Sequence, residues 1–178
     1  MKKIIILFVL PFFLFFIIIA GTGDAIASSD RPTTDIDDVS GDENYDDYVP
    51  NGDSELGNAI VTSALSKLGC QYVWGASGPN TFDCSGLVWW ACHENGVNFT
   101  RTTAAVLSTM GTEVSKDELQ SGDIITFKTD PSYVSHVAIY IGDGKMVHAP
   151  NKRTVVKVEN FFNSNYWQSV LHNYRRLY

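Results

Sequence analysis

One short string, Asp83-Cys84-Ser85-Gly86, limits what this chain can fold into more than any other. It opens the run Leu87-Val88-Trp89-Trp90-Ala91-Cys92, which is apolar on every side and therefore belongs inside a core rather than on a surface. Asp83 is a good N-cap for a helix beginning at Cys84, and Gly96 is a good stop. The spacing thus predicts a buried helix with a cysteine in its first turn. Unpaired N–H groups and the positive end of the helix dipole favour thiolate there, so the thiol pKa is expected to fall below its free value of about 8.5. A lone cysteine is ordinarily a core residue. What lifts Cys84 above that is a histidine in a strand pattern about fifty residues later.

Two histidines qualify as the base. His136 lies in Ser135-His136-Val137-Ala138-Ile139-Tyr140-Ile141-Gly142, and His148 in Lys145-Met146-Val147-His148-Ala149. Asp143-Gly144 between them is a strong hairpin turn signal. A cysteine on a helix start facing a histidine on a sheet is a papain-like hydrolase layout, with a third polar group orienting the imidazole. His148 is the candidate third group, but regular hairpin geometry keeps it away from His136. A two-residue turn sets Ile139 opposite His148 and turns His136 to the other face. A three-residue turn restores the face but leaves His136 about four positions along, roughly 13 Å of strand rise. Their meeting requires a bulge, a longer loop or strong local twist.

The flanking strings are more specific. Gly69-Cys70-Gln71-Tyr72-Val73-Trp74-Gly75, Asp83-Cys84-Ser85-Gly86-Leu87-Val88, Arg101-Thr102-Thr103, Leu119-Gln120-Ser121-Gly122-Asp123-Ile124, Ser135 to Gly142 and His148-Ala149 occur in that order. In strings, order and spacing this resembles the NlpC family of bacterial cell-wall cysteine peptidases, over residues 56–178. The resemblance implies Cys84 as nucleophile, His136 as base, His148 as third member, and Tyr72 helping to hold the oxyanion. It implies that Asp83 and Ser85 line a pocket for the free amino group of a peptidoglycan stem peptide. It also implies cleavage between γ-D-glutamate and the diamino acid. The same layout could serve an amidase, an acyltransferase or a wall-binding module without activity. Arg101 could bind a substrate carboxylate or form a structural salt bridge. Trp74, with Trp89, Trp90 and Trp167, could stack on sugars, although the tryptophans of the apolar helix read more readily as core.

The rest of the chain frames that domain. Lys2-Lys3, the apolar run Ile4 to Ala20 and Ala25-Ile26-Ala27 read as a secretory signal over residues 1–27. The run is long enough that membrane anchoring through residues 4–20 stays open. Either reading puts the domain in the cell envelope or outside the cell, in an extracytoplasmic compartment. Between Thr22 and Glu55 eleven acids face one base, whereas the part from Leu56 holds ten bases and nine acids. The net charge of −7 therefore belongs to the tail, and residues 28–55 are expected to be an acidic disordered linker. The acids at Asp35, Asp37 and Asp38 fail the EF-hand test, because Val39 and Ser40 stand where a ligand and glycine are needed. Neither a zinc spacing nor a nucleotide fingerprint occurs, so no metal, cofactor or nucleic-acid partner is expected.

Residues 56–178 read as α+β. Helices are expected over Ser54–Leu68, from Cys84 and over Thr103–Met110. Strands are expected at Asp123–Lys128, Ser135–Gly142, Lys145–His148, Thr154–Val158 and Ser169–Tyr174. Helices first and hairpin-linked strands after argue for an antiparallel sheet. Cys70 could pair with Cys92 in an oxidising compartment. His93 and His172 are expected to have no part in chemistry, the first lying near a helix C-terminus and the second in the terminal strand.

Overall fold

The computed structural model describes Tyr45, residues 48–50 and residues 52–178. The signal or anchor segment and most of the acidic linker lie outside the described residues. Among those described, no helix is long and apolar enough to cross a membrane.

The architecture is α+β: helices from the first half pack on one face of a six-stranded antiparallel sheet. Helix α1 (Glu55–Leu65) is capped by Ser54, whose hydroxyl accepts from Gly57 N–H, and it buries Ile60, Val61, Ala64 and Leu65. Helix α2 (Cys84–Glu94) begins at Asp83, whose carboxylate accepts from Gly86 N–H. It buries Leu87, Val88, Ala91 and Cys92, while Trp89 and Trp90 are half-buried at its flank. A short α3 (Ala104–Leu107) follows, capped by Thr103. It is shorter than the expected Thr103–Met110 helix.

The sheet runs in the order β3-β8-β4-β5-β6-β7. Its strands are β3 (Thr112–Val114), β4 (Ile124–Phe127), β5 (His136–Gly142), β6 (Lys145–His148), β7 (Lys157–Asn160) and β8 (Leu171–Arg176). A separate parallel pair, β1 (Gln71–Tyr72) and β2 (Thr81–Phe82), precedes α2. Neither strand of that pair was expected, because two residues carry no alternation. The strand expected at Thr154–Val158 starts later, at Lys157, and runs to Asn160. Ser169 ends a fourth helix, α4 (Asn165–Ser169), rather than opening the last strand.

Alternation along β5 divides the interior into two cores. Val137, Ile139 and Ile141 pack with Val147 and Ala149 against α1 and α2. Ala138 and Tyr140 join Met146, Phe161, Trp167 and Tyr174 on the opposite face. Each fully buried large apolar side chain contributes roughly 1.5–3 kcal/mol, so both faces hold the central strands.

The β5–β6 hairpin supplies the missing step in the register. Asp143 and Gly144 both adopt positive φ, 50° and 71°, as the tight turn requires. Gly142 pairs with Lys145, but the next pair is Tyr140 with Met146, so Ile141 is an extra residue on β5. That bulge shifts the ladder by one, pairing Ile139 with Val147. Ala138 therefore stands opposite His148, and His136 lies diagonally from it on the same face. Diagonal neighbours of this kind are within reach of long side chains. The bulged carbonyl of Ile141 accepts hydrogen bonds from the hydroxyls of Tyr48 and Ser121, the latter at 3.1 Å.

Tyr45 and Tyr48 fall within the segment expected to be linker, yet both pack against the helix-side core. The three cysteines, Cys70, Cys84 and Cys92, are free thiols, with no bridge between Cys70 and Cys92.

Candidate active site

A cavity of about 420 Å³ opens where the start of α2 meets β5. Tyr72, Cys84 and His136 line it, together with Ser135, Lys157, Glu159, Tyr166 and Trp167 among others. The sequence reading named Tyr72, Cys84 and His136 of these wall residues for chemistry and Trp167 for stacking on sugars. Trp74 is 87% exposed and lies outside this lining.

The Cys84 side is built around Asp83. Its carboxylate accepts from Gly75 N–H at 2.8 Å, Gly86 N–H at 2.6 Å and the Ser85 hydroxyl at 3.2 Å. Arg101 completes the cluster with an ion pair to Asp83 and a 3.0 Å hydrogen bond to the Ser85 oxygen. Asp83, Ser85 and Arg101 thereby form one network behind the helix start, and none of them lines the cavity. Of the two readings open for Arg101, the salt bridge is the one present. Gly86 is needed here for space: a Cβ would come within 2.0 Å of the Ala76 carbonyl oxygen.

Cys84 is half-buried, and its sulfur accepts from the backbone N–H groups of Val137 and Ser85. The contact with Val137 sets the sulfur against β5 next to His136. The expected lowering of its pKa is not what the surroundings produce. Burial, then the Asp83 carboxylate, push the Cys84 thiol up to about 11, against the pull of the two backbone donors and Arg101. The helix terminus is outweighed first by burial of the thiol and then by its own anionic N-cap. Tyr72 feels the same neighbourhood: burial and Cys84 raise its phenol to about 12, so it stays a hydroxyl donor.

The histidine side is a chain of rings. His136 Nε2 lies 2.9 Å from His148 Nδ1. His136 packs against Trp167 with centroids 5.4 Å apart, and against Phe127 at 5.8 Å. Burial holds the His136 imidazole well below its ordinary pKa, and neighbouring His148 adds to this. Burial also lowers His148, although Glu159 opposes it. Both rings are therefore neutral at neutral pH, facing a neutral thiol.

Glu159 is the residue the sequence reading missed. It stands on β7, one residue past the expected end of that strand, with Oε2 3.6 Å from His148 Nε2. Trp167 Nε1 donates to the same oxygen at 2.6 Å, and Lys157 pairs with the other. Burial would raise this carboxyl, but the donors from His148, Lys157 and Trp167 win and hold it at about 2. A single acid in a strand after the second histidine was the available signal. Of the remaining histidines, His93 stacks on Trp89 with centroids 4.9 Å apart and bonds Asn98, and His172 is exposed on β8. Burial raises Cys92 to about 12, as suits a core thiol.

A thiol at the start of a core helix, an imidazole at the head of a central antiparallel strand and a second polar ring behind it are arranged as in the papain-like class of cysteine hydrolases. Residues 69–176 match the model of the NlpC/P60 family, and the chain belongs to that family. A probable endopeptidase of Corynebacterium glutamicum is 47% identical over 101 residues, which is 57% of this chain and 46% of that protein. The chain thus spans less than half the length of that curated relative. NlpC1 from Trichomonas vaginalis superposes with a TM-score of 0.64 at 36% identity, covering 71% of this chain and 45% of that one. The NlpC/p60 domain of the peptidoglycan hydrolase SagA superposes with a TM-score of 0.57 at 29% identity, covering 67% of this chain and 97% of that domain.

Proposed function

We propose that residues 56–178 are a cysteine endopeptidase that hydrolyses an amide bond in peptidoglycan stem peptides, between γ-D-glutamate and the diamino acid. The segment at residues 1–27 exports or anchors it, so that it works outside the cytoplasm. The observation that carries this reading is the shared cavity of Cys84 and His136, with His148 bonded to His136 at 2.9 Å. Family membership supports it, as do the endopeptidase and peptidoglycan-hydrolase names of the relatives.

Because thiol and imidazole are both neutral at rest, proton transfer accompanies attack. His136 Nδ1 takes the Cys84 proton as the sulfur bonds to the scissile carbonyl carbon. The Tyr72 hydroxyl and a backbone N–H at the start of α2 donate to the developing oxyanion. Collapse breaks the C–N bond, His136 gives its proton to the leaving amine, and a thioester remains on Cys84. A water deprotonated by His136 then attacks the thioester, and the sulfur leaves as thiol with that proton. One water is consumed, and one amine and one carboxylic acid are formed.

Digestion of purified muropeptides followed by mass spectrometry tests both the activity and the bond. Wild type should yield new γ-D-glutamate carboxyl termini and free diamino-acid amines, and Cys84→Ala should yield none. Turnover persisting in Cys84→Ala would remove the thioester route. Cuts at the sugar–peptide amide would replace the endopeptidase with an amidase.

A further inference from the structure

Nothing in the chemistry above explains why a carboxylate stands behind the second histidine. Glu159 Oε2 is 3.6 Å from His148 Nε2, an ion-pair distance that a small shift closes to a hydrogen bond. His148 Nε2 is fully buried and has no other partner. The carboxylate itself is anchored: Trp167 Nε1 donates at 2.6 Å to the oxygen that faces His148, and Lys157 holds the other oxygen. Trp167 also packs on both rings, with centroids 5.4 Å from His136 and 5.2 Å from His148.

Proton placement follows from this order of atoms. An ionised carboxylate only accepts, so the proton of neutral His148 belongs on Nε2, facing Glu159. His148 Nδ1 is then a lone pair and accepts from His136 Nε2–H across 2.9 Å. That leaves His136 Nδ1 unprotonated, which is the form a base toward Cys84 must have. Remove the carboxylate, and His148 has no reason to keep its proton on Nε2. With the proton on Nδ1 it would donate to His136 Nε2 and push the His136 proton onto Nδ1, where it cannot accept from a thiol.

We infer that Glu159 is a positioning residue: held by Trp167 and Lys157, it sets the tautomer of His148 and, through it, that of His136. This rests on the reading of Cys84 and His136 as nucleophile and base. The groups facing His136 are His148 on β6, Glu159 and Lys157 on β7, Tyr166 on α4, Cys84 on α2 and Tyr72 on β1. Among them only Glu159 is an anion near the two rings at neutral pH.

The test uses Glu159→Gln in the full chain with a stem-peptide substrate. The glutamine oxygen can still accept, so the expected loss in kcat is roughly 10²-fold, smaller than the roughly 10⁴-fold seen when a catalytic histidine is driven to the wrong tautomer. KM should stay within about twofold. The acid limb of kcat/KM should move to lower pH, because losing the anion makes both imidazoles harder to protonate. An unchanged kcat with an unmoved acid limb would overturn the assignment. So would a change confined to KM, which would make Glu159 a substrate contact. Should the variant not fold, ¹⁵N chemical shifts of the histidine rings in the wild-type chain decide instead. Protons on Nε2 of both His136 and His148 are expected, and a proton on His148 Nδ1 overturns the inference. Activity surviving in Cys84→Ala would separately remove the functional reading, whatever Glu159 does.

Discussion

Two carboxylates back the two walls of the cleft, and they do opposite things. Asp83, under the start of α2, is stapled by Gly75, Gly86, Ser85 and Arg101, and its charge raises the thiol beside it. Glu159, on β7, accepts from Trp167 and Lys157, and its charge favours protonation of the imidazoles before it. One anion buys the geometry of the helix start at the expense of thiolate. The other favours imidazolium at the moment a proton arrives. Burial keeps both rings neutral against the pull of Glu159, whereas burial and Asp83 act together to keep the thiol neutral. What separates the walls is therefore the partner each acid addresses: the backbone of a helix on one side, a titrating ring on the other.

The comparison breaks most readily at His136. If the base wall supplies proton transfer, His136→Ala should cut turnover by roughly 10²–10⁴-fold. It should do so without raising the reactivity of the thiol at neutral pH. In wild type, alkylation of Cys84 by iodoacetamide should be slow at pH 7 and climb toward its pKa near 11. A rate plateau at neutral pH would show a preformed thiolate–imidazolium pair and overturn the neutral resting state. Asp83→Asn sharpens the other side. Asparagine still caps α2, so the main loss is the charge opposite Arg101. Breaking a buried pair costs about 3–5 kcal/mol, and partial solvation of Arg101 puts this case at about 3 kcal/mol or less by denaturant unfolding. With the neighbouring anion gone, the thiol pKa should fall, shifting the alkylation profile to lower pH. A profile that stays in place would mean that burial alone raises Cys84.

How much of this was legible depends on the distance between the residues that cooperate. Asp83, Cys84 and Gly86 act within one turn, so capping chemistry and the apolar run after them were enough to place the helix. The Asp143-Gly144 turn likewise announces its hairpin. The approach of His136 to His148 came from the resemblance and not from hairpin rules, because it depends on Ile141 being bulged, and the one local signal for a bulge is Gly142, at φ 103°. Glu159 was hidden for a related reason. Its role comes from Trp167 and His148, brought to it by β7 and α4, and a lone acid in a half-exposed edge strand looks like surface. Even the thiol was misjudged from local rules, since the dipole was counted and neither the burial of the sulfur nor the capping anion was.

The smallest effect lies at the far end of β5 and tests whether the two walls are as local as their contacts suggest. The Ile141 carbonyl, freed from the ladder by the bulge, accepts from both Tyr48 and Ser121. Losing one such bond costs about 1 kcal/mol, and the second donor still satisfies the carbonyl. Tyr48→Phe should therefore lower unfolding stability by about that amount and leave kcat and the pH profile unchanged. The His136–His148 register depends on the bulge existing, not on how many donors it has. If Tyr48→Phe instead lowers kcat, the bulge is held by the segment before α1, and the base wall extends along the whole of β5.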